Sequence, residues 1–182
     1  MMSEEPALEG QSPPAAAREP ERRAHGWRWL ALALLVIAAD QWSKNWMVHH
    51  LAFGENQRLL PVLSLTLRYN TGAAFSMLAE ASGWQRWLFT GLAVVVGLAI
   101  IEWMRRLDAR RQGLLASALA LILAGALGNL IDRLRLGHVI DFILVHWKDA
   151  YFPAFNVADS AITVGAALML LDYWFEGRRR SH

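Results

Sequence analysis

Four long apolar blocks, 27–48, 84–104, 114–131 and 155–175, alternate along the chain with polar stretches. Each is close to the roughly 20 residues that carry a helix across a bilayer core about 30 Å thick. The run Leu88–Ile101 contains no charged residue at all. Trp27, Trp29, Trp46, Trp84, Trp87, Trp103, Tyr173 and Trp174 lie near block ends, where an interfacial aromatic belt belongs. Four buried helices of a soluble bundle would need polar outer faces, which these blocks mostly lack. The first block has a rival reading as a cleaved signal peptide. Arg22, Arg23 and Arg28 would be its basic region, Leu30–Ile37 its apolar core and Ala38-Ala39 its small-residue site. The apolar character resumes after Asp40 through Trp42, Trp46 and Val48, and an acidic stretch precedes the arginines. Both features favour a full span.

The stretches between blocks differ in kind. Residues 1–26 hold five glutamates, four prolines and small residues together with Arg18, Arg22 and Arg23. Such a segment buries too little apolar surface to offset chain entropy, so it reads as a disordered tail. In the loop after block one, Leu63, Leu65 and Leu67 alternate with Ser64, Thr66 and Arg68, the period of a half-buried strand. Asn70-Thr71-Gly72 reads as a turn. The run from Ala73 to Leu78 suits the start of a short interfacial amphipathic helix. In the loop after block three, Leu136-Gly137 reads as a turn, and Val139–Val145 as a strand of β-branched and aromatic residues. The two strand regions are placed to pair into a small sheet. The predicted fold is an all-α membrane protein of four transmembrane helices, with a small β-sheet and a short interfacial helix in its outer loops. A core of 27–176 lies between the tail 1–26 and a basic tail 177–182.

Composition agrees. Of 182 residues 55% are hydrophobic and 19% charged, against about 45–50% and about 25% in soluble domains. The length suits one domain. There is no cysteine, which excludes disulfides, a thiol nucleophile and cysteine lipidation. The net charge is only +2, although the isoelectric point is about 9.4. The arginines flank the spans, so no nucleic-acid surface is expected. Arg18, Arg22, Arg23 and Arg28, then Arg105, Arg106, Arg110 and Arg111, then Arg178, Arg179 and Arg180 would all lie on one side. The longer segments opposite hold Arg58, Arg68, Arg86, Arg133, Arg135 and Lys148. By the positive-inside rule both termini are expected to be cytoplasmic, and loops 49–83 and 132–154 to face outward.

Ionisable groups within spans are costly and mark candidate sites. Asp40 and Lys44 share a helix face at i, i+4. They either neutralise each other and tie helices together or serve a site. Gly125 and Gly128 permit close helix approach. Asn129, Asp132 and Arg133 lie on one face of the same span. Asn156 suits an N-cap, and Asp159 in the first turn suits the helix dipole. That account leaves Asp141 unexplained, the one polar residue within an apolar strand. If Asp141 and Asp159 approach closely, both cannot ionise cheaply and one proton is shared. An ionised member then takes a proton from water, while its partner donates to a carbonyl oxygen. This is aspartic peptide hydrolysis, which needs no metal or cofactor. The chain contains no H-E-x-x-H and no G-x-S-x-G. Its six histidines show no metal-ligand spacing, so no metal is expected, and His138 and His146 read as interfacial polar residues. The competing function is a small ion-coupled transporter, with Asp40, Asp132 and Asp159 as a proton relay. Against it, the acidic residues cluster at one face instead of tracking through the spans.

Four stretches carry a family resemblance: Asp40-Gln41-Trp42-Ser43-Lys44, Asn70-Thr71-Gly72-Ala73-Ala74-Phe75-Ser76, the run from Gly128-Asn129 through Asp132-Arg133 to Gly137-His138-Val139-Ile140-Asp141-Phe142, and Phe155-Asn156-Val157-Ala158-Asp159-Ser160. In order and context they resemble lipoprotein signal peptidase, the bacterial signal peptidase II, over about 28–175. The resemblance implies an inner-membrane aspartic endopeptidase that cuts prolipoproteins just before a diacylglyceryl-modified cysteine, at the periplasmic side. It implies Asp141 and Asp159 as the catalytic dyad, with Asn70, Asn129, Arg133 and Asn156 lining the site. Asp40, Lys44, Asp132, Gly72 and Gly128 take structural or positioning roles, with Asp132 beside Arg133. Membrane lipid, a monomeric state and sensitivity to the cyclic peptide globomycin are the further expectations.

Overall fold

The computed structural model describes residues 26–72, 84–108 and 112–180. The expected tail 1–26, but for Gly26, and the short helix expected from Ala73 lie outside these. A 3-10 turn, Gly26–Trp29, leads into helix α1, Leu30–His50. Strands β1, Asn56–Leu60, and β2, Leu63–Asn70, follow. Helices α2, Trp84–Arg106, and α3, Gly113–Leu136, come next. Strands β3, Val139–Trp147, and β4, Ala150–Tyr151, precede the last helix, α4, Val157–Arg180.

All four apolar blocks form helices. Three of them, Trp84–Arg106, Gly113–Leu136 and Val157–Arg178, are long and apolar enough to cross a membrane. α1 is 21 residues long, about 31 Å at 1.5 Å per residue, but Asp40, Gln41, Lys44 and Asn45 dilute its apolar character. α3 outlasts its apolar block, because Asp132 and Arg133 interrupt the hydrophobicity without interrupting the helix. It stops at Gly137, whose φ of 83° supplies the left-handed C-cap.

α3 is the central helix and packs against α4, α1 and α2. Its small residues Ala116, Ala120 and Ala124 form the core with Ala33, Ile100, Met104, Leu119 and Leu123. Large apolar side chains instead cover the outer faces, with Leu35 68%, Val95 64% and Leu170 71% exposed. A surface of that kind suits lipid rather than water. Helices α3 and α4 touch closely where Gly125 faces the Ala158 carbonyl and Ile162. A Cβ there would collide with backbone, so Gly125→Ala should lower stability by about 1–3 kcal/mol. Thermal unfolding in detergent checks this.

The sheet lies at one end of the bundle, in the order β1-β2-β3-β4, antiparallel throughout. Leu63 pairs with Val145, and Asn70 with Val139. A register shift between Leu65 and Arg68 brings Arg68 opposite Asp141. The expected half-buried strand is real, but it is not leucine-in and polar-out. Ser64 and Thr66 are buried with Leu67, and the Ser64 hydroxyl meets His146 Nε2 at 3.0 Å. His146 is correspondingly buried, unlike the interfacial residue expected.

Candidate active site

The polar residues of the spans converge at the sheet end of the bundle. Asp141 comes from β3 and is 3% exposed. Asp159 comes from the first turn of α4 and is half-buried. The local chain geometry accounts for their meeting. Phe155 bridges to β3, its carbonyl accepting from Phe142 N and Ile143 N and its N–H donating to the Ile143 carbonyl. That bridge delivers Asn156 beside Asp141 and starts α4 there.

Asn156 caps α4 reciprocally with Asp159. Asp159 N donates to Asn156 Oδ1 at 2.9 Å, and Asn156 N donates to Asp159 Oδ2 at 3.2 Å. This is a capping box with Asp in the third helical position. The capping account is therefore true but incomplete, because Asn156 Nδ2 also donates to Asp141 Oδ1 at 2.8 Å. Asn129 Nδ2 donates to the other Asp159 oxygen at 2.7 Å. Asn70 Nδ2 donates to Asp141 Oδ2 at 3.1 Å, while Asn70 Oδ1 accepts Gly72 N at 2.9 Å. Gly72 has φ of 99°, and a Cβ there would lie 2.8 Å from the Phe89 ring, so the turn that aims Asn70 needs glycine. Three amides thus present N–H groups to two carboxyl groups.

A buried ion cluster supports that layer. Lys44 Nζ lies 2.8 Å from Asp40 and 2.9 Å from Asp132, with all three side chains almost fully buried. Its third bond, 3.0 Å long, goes to Asn129 Oδ1. Because a cation occupies the oxygen of Asn129, the amide must turn its Nδ2 toward Asp159. Each carboxylate of the cluster also accepts a backbone N–H next to an expected catalytic residue. Asp40 Oδ1 accepts Ala158 N at 2.8 Å, just before Asp159. Asp132 Oδ2 accepts Ile140 N at 3.2 Å, just before Asp141. Gly128 leaves the space the Asp40 carboxylate fills, since a Cβ would sit 2.7 Å from its Oδ2.

The expected catalytic, lining and positioning residues meet in this one region. Asp132 sits next to Arg133 in the chain, but its salt bridge goes to Lys44. Arg133 lies over the Phe89 ring at 5.3 Å. Its charge is within electrostatic reach of Asp159, Asp141 and Asp132. Gln41 had no role assigned, yet its Nε2 bonds Asp132 Oδ1 at 2.9 Å and the Gly128 carbonyl at 3.2 Å. Its signal was available, being one more polar residue inside a span.

Burial and then the negative charge of Asp159 push the Asp141 carboxyl up to about 7, against opposing pulls from Asn70, Asn156 and Lys44. One member of the pair thus holds a proton near neutrality while close to a charged partner. That is the division of labour that acid–base hydrolysis requires.

The signal peptidase II family profile matches residues 32–175. The chain belongs to the signal peptidase II family. It is 58% identical over 146 residues to the lipoprotein signal peptidase of Pseudomonas syringae pv. tomato, covering 79% of this chain and 84% of the relative. It is 49% identical over 156 residues to the lipoprotein signal peptidase of Acinetobacter baylyi, covering 86% and 87%. The Pseudomonas aeruginosa lipoprotein signal peptidase is 56% identical over 146 residues, with 79% and 86% covered. A solved bacterial membrane enzyme, determined by the in meso method at 2.3 Å resolution, superposes with a TM-score of 0.72 and 29% identity. That likeness covers 83% of this chain and 90% of the other. As a signal peptidase II, this chain is a multi-pass membrane peptidase.

Proposed function

We propose that the chain is an aspartic endopeptidase of the bacterial inner membrane that removes the signal peptide from prolipoproteins. The bond cut lies N-terminal to the diacylglyceryl-modified cysteine. The observation that carries this reading is the pair Asp141 and Asp159, held from separate elements by Asn70, Asn129 and Asn156, with burial raising the Asp141 carboxyl. Asp159 takes a proton from the water that attacks the scissile carbonyl. Asp141 gives its proton to the carbonyl oxygen, and the resulting diol collapses with proton transfer to the leaving amine. Arg133 offsets the negative charge of the pair as the oxygen changes character. The substrate brings the cysteine of this chemistry, and the enzyme needs only carboxyl groups.

α1 is read as the fourth span, its Asp40, Gln41 and Lys44 bonded to α3 and α4 rather than facing lipid. Both termini then lie in the cytoplasm, with the sheet and the dyad at the periplasmic interface. The scissile bond of a substrate anchored by its signal helix and acyl chains would lie at that level. Globomycin is expected to occupy this site, and a monomer suffices for it. The test is a proteoliposome assay with a lipidated and an unlipidated prolipoprotein. Cleavage of the lipidated form is expected; ion flux without cleavage would support the transporter instead.

The proton on Asp141 sets a pH dependence. Above pH about 7 Asp141 is charged and the acid is lost, so kcat/KM should fall there. The Asn70 bond favours the charged form, so Asn70→Ala should move this limb upward as well as lower the rate. Steady-state rates over about two pH units either side of 7 measure it. The same group affects stability. The native carboxyl takes up its proton near 7, whereas the ordinary value is 3.8. Native stability from Asp141 therefore rises as pH falls through that window and is lost as pH rises through about 7.

A further inference from the structure

A cavity of about 290 Å³ borders the ion cluster, with Lys44 and Asp132 but neither Asp141 nor Asp159 in its lining. The last turns of α1 and α3 form its sides, and β2 and β3 close it. Its size is at the lower edge of small-ligand sites, about 300–1,000 Å³. Beside Gln41, Lys44 and Asp132 of the ion cluster, four more polar side chains line it: Asn45, Tyr69, Arg135 and His138. None of the Asn45 amide, the Tyr69 hydroxyl, the Arg135 guanidinium or the His138 ring nitrogens has a hydrogen-bond partner among the described residues. His138 is held by its face alone, stacked on Tyr69 with ring centroids 4.4 Å apart. The carboxylate in the lining, Asp132, is bonded by Gln41 and by Lys44, the cation it shares with Asp40. The unmatched charge facing the cavity is therefore the Arg135 cation.

We infer that this cavity is a binding site for a phosphate ester, the phosphodiester headgroup of a membrane phospholipid. A phosphate accepts several hydrogen bonds at once, and a guanidinium fork matches its oxygens. The amide, hydroxyl and imidazole supply the remaining donors. Apolar residues continue from the rim onto the outer helix faces: Val48 is 39% exposed, Leu136 48% and Leu134 52%. Acyl chains attached to the headgroup would cover that strip, which favours a lipid over a soluble ester. Basic pockets between spans hold headgroups in this way. The site does not depend on the peptidase reading, and the peptidase chemistry makes no use of Arg135.

The test uses the full chain, delipidated and reconstituted, with bound lipid counted by native mass spectrometry. Phosphatidylglycerol, diacylglycerol with the same acyl chains, and soluble glycerol phosphate are the three probes. The expected result is one retained phosphatidylglycerol, with affinity lowered about tenfold or more in Arg135→Gln combined with His138→Ala, as for loss of a charge-assisted pair. Diacylglycerol should not displace it. Displacement by glycerol phosphate at equal concentration would overturn the lipid assignment in favour of a soluble phosphate ester. Equal retention of diacylglycerol, or unchanged binding by a variant with wild-type thermal unfolding, would overturn the site itself.

Discussion

Lys44→Met should both destabilise the protein and abolish cleavage. Removing the ammonium leaves Asp40 and Asp132 facing each other without a cation, at 0% and 2% exposure. Breaking a buried pair by deleting one partner costs about 3–5 kcal/mol, chiefly through the uncompensated charge left behind. The loss of activity has a separate cause. Without Lys44, only the longer bond from Asn156 Nδ2, 3.2 Å, holds Asn129 Oδ1, and the amide that donates to Asp159 at 2.7 Å is less firmly oriented. The grips on Ala158 N and Ile140 N loosen with the carboxylates that make them. Stability and activity can be separated. Combining Lys44→Met with Asp132→Asn removes one of the two uncompensated charges and should recover part of the stability, leaving Asp40 alone without its cation. Cleavage should stay absent in the double variant. Recovery of cleavage along with stability would mean that Lys44 serves the fold alone. Thermal unfolding and a cleavage assay on the same preparations measure both.

Asp141→Asn and Asp159→Asn should each lower cleavage by about 10³-fold or more, the range for loss of a positioned acid or base. The two replacements fail for different reasons. Asn at 159 cannot take the proton of the attacking water. Asn at 141 cannot give a proton to the carbonyl oxygen, though it keeps the shape and relieves the burial of a charge. Asp141→Asn should therefore leave stability near neutral pH equal or higher, the direction set by its raised pKa. Asp159→Asn should cost some stability, because its carboxylate also closes the cap on α4 through Asn156 N. This difference in sign separates the roles assigned to the two residues.

Much of the site was legible because polar residues are conspicuous against lipid-facing sequence. Asp40, Lys44, Asn129, Asp132 and Asp159 each interrupt an apolar run, and Asp141 interrupts a β-branched one. Their convergence was harder to read. It depends on the Phe155 bridge to β3 and on the register shift in β2, and backbone pairing of that kind leaves little trace in side-chain pattern. The grips on Ala158 N and Ile140 N are backbone contacts too, and nothing about an alanine or an isoleucine announces them. Strand β1 escaped notice because all five of its residues are exposed, so no alternation marks it. Strand β4 has only two residues, too few for a period. α3 ran past its apolar block because the end of hydrophobicity is not the end of a helix; Gly137 was the better stop signal. Ser64 and Thr66 are buried although they alternate with the leucines, and alternation alone does not report which set turns inward.

The central claim is that Asp141 and Asp159 together hydrolyse one peptide bond of a lipidated substrate. Its most direct test is mass spectrometry of the fragments released from a diacylglyceryl-modified prolipoprotein by the reconstituted protein and its two Asn variants. The expected result is a pair of fragments meeting just before the modified cysteine for the unaltered chain, and intact substrate for either variant when both still fold and insert. The same fragments from Asp141→Asn or Asp159→Asn at a near-normal rate would contradict it.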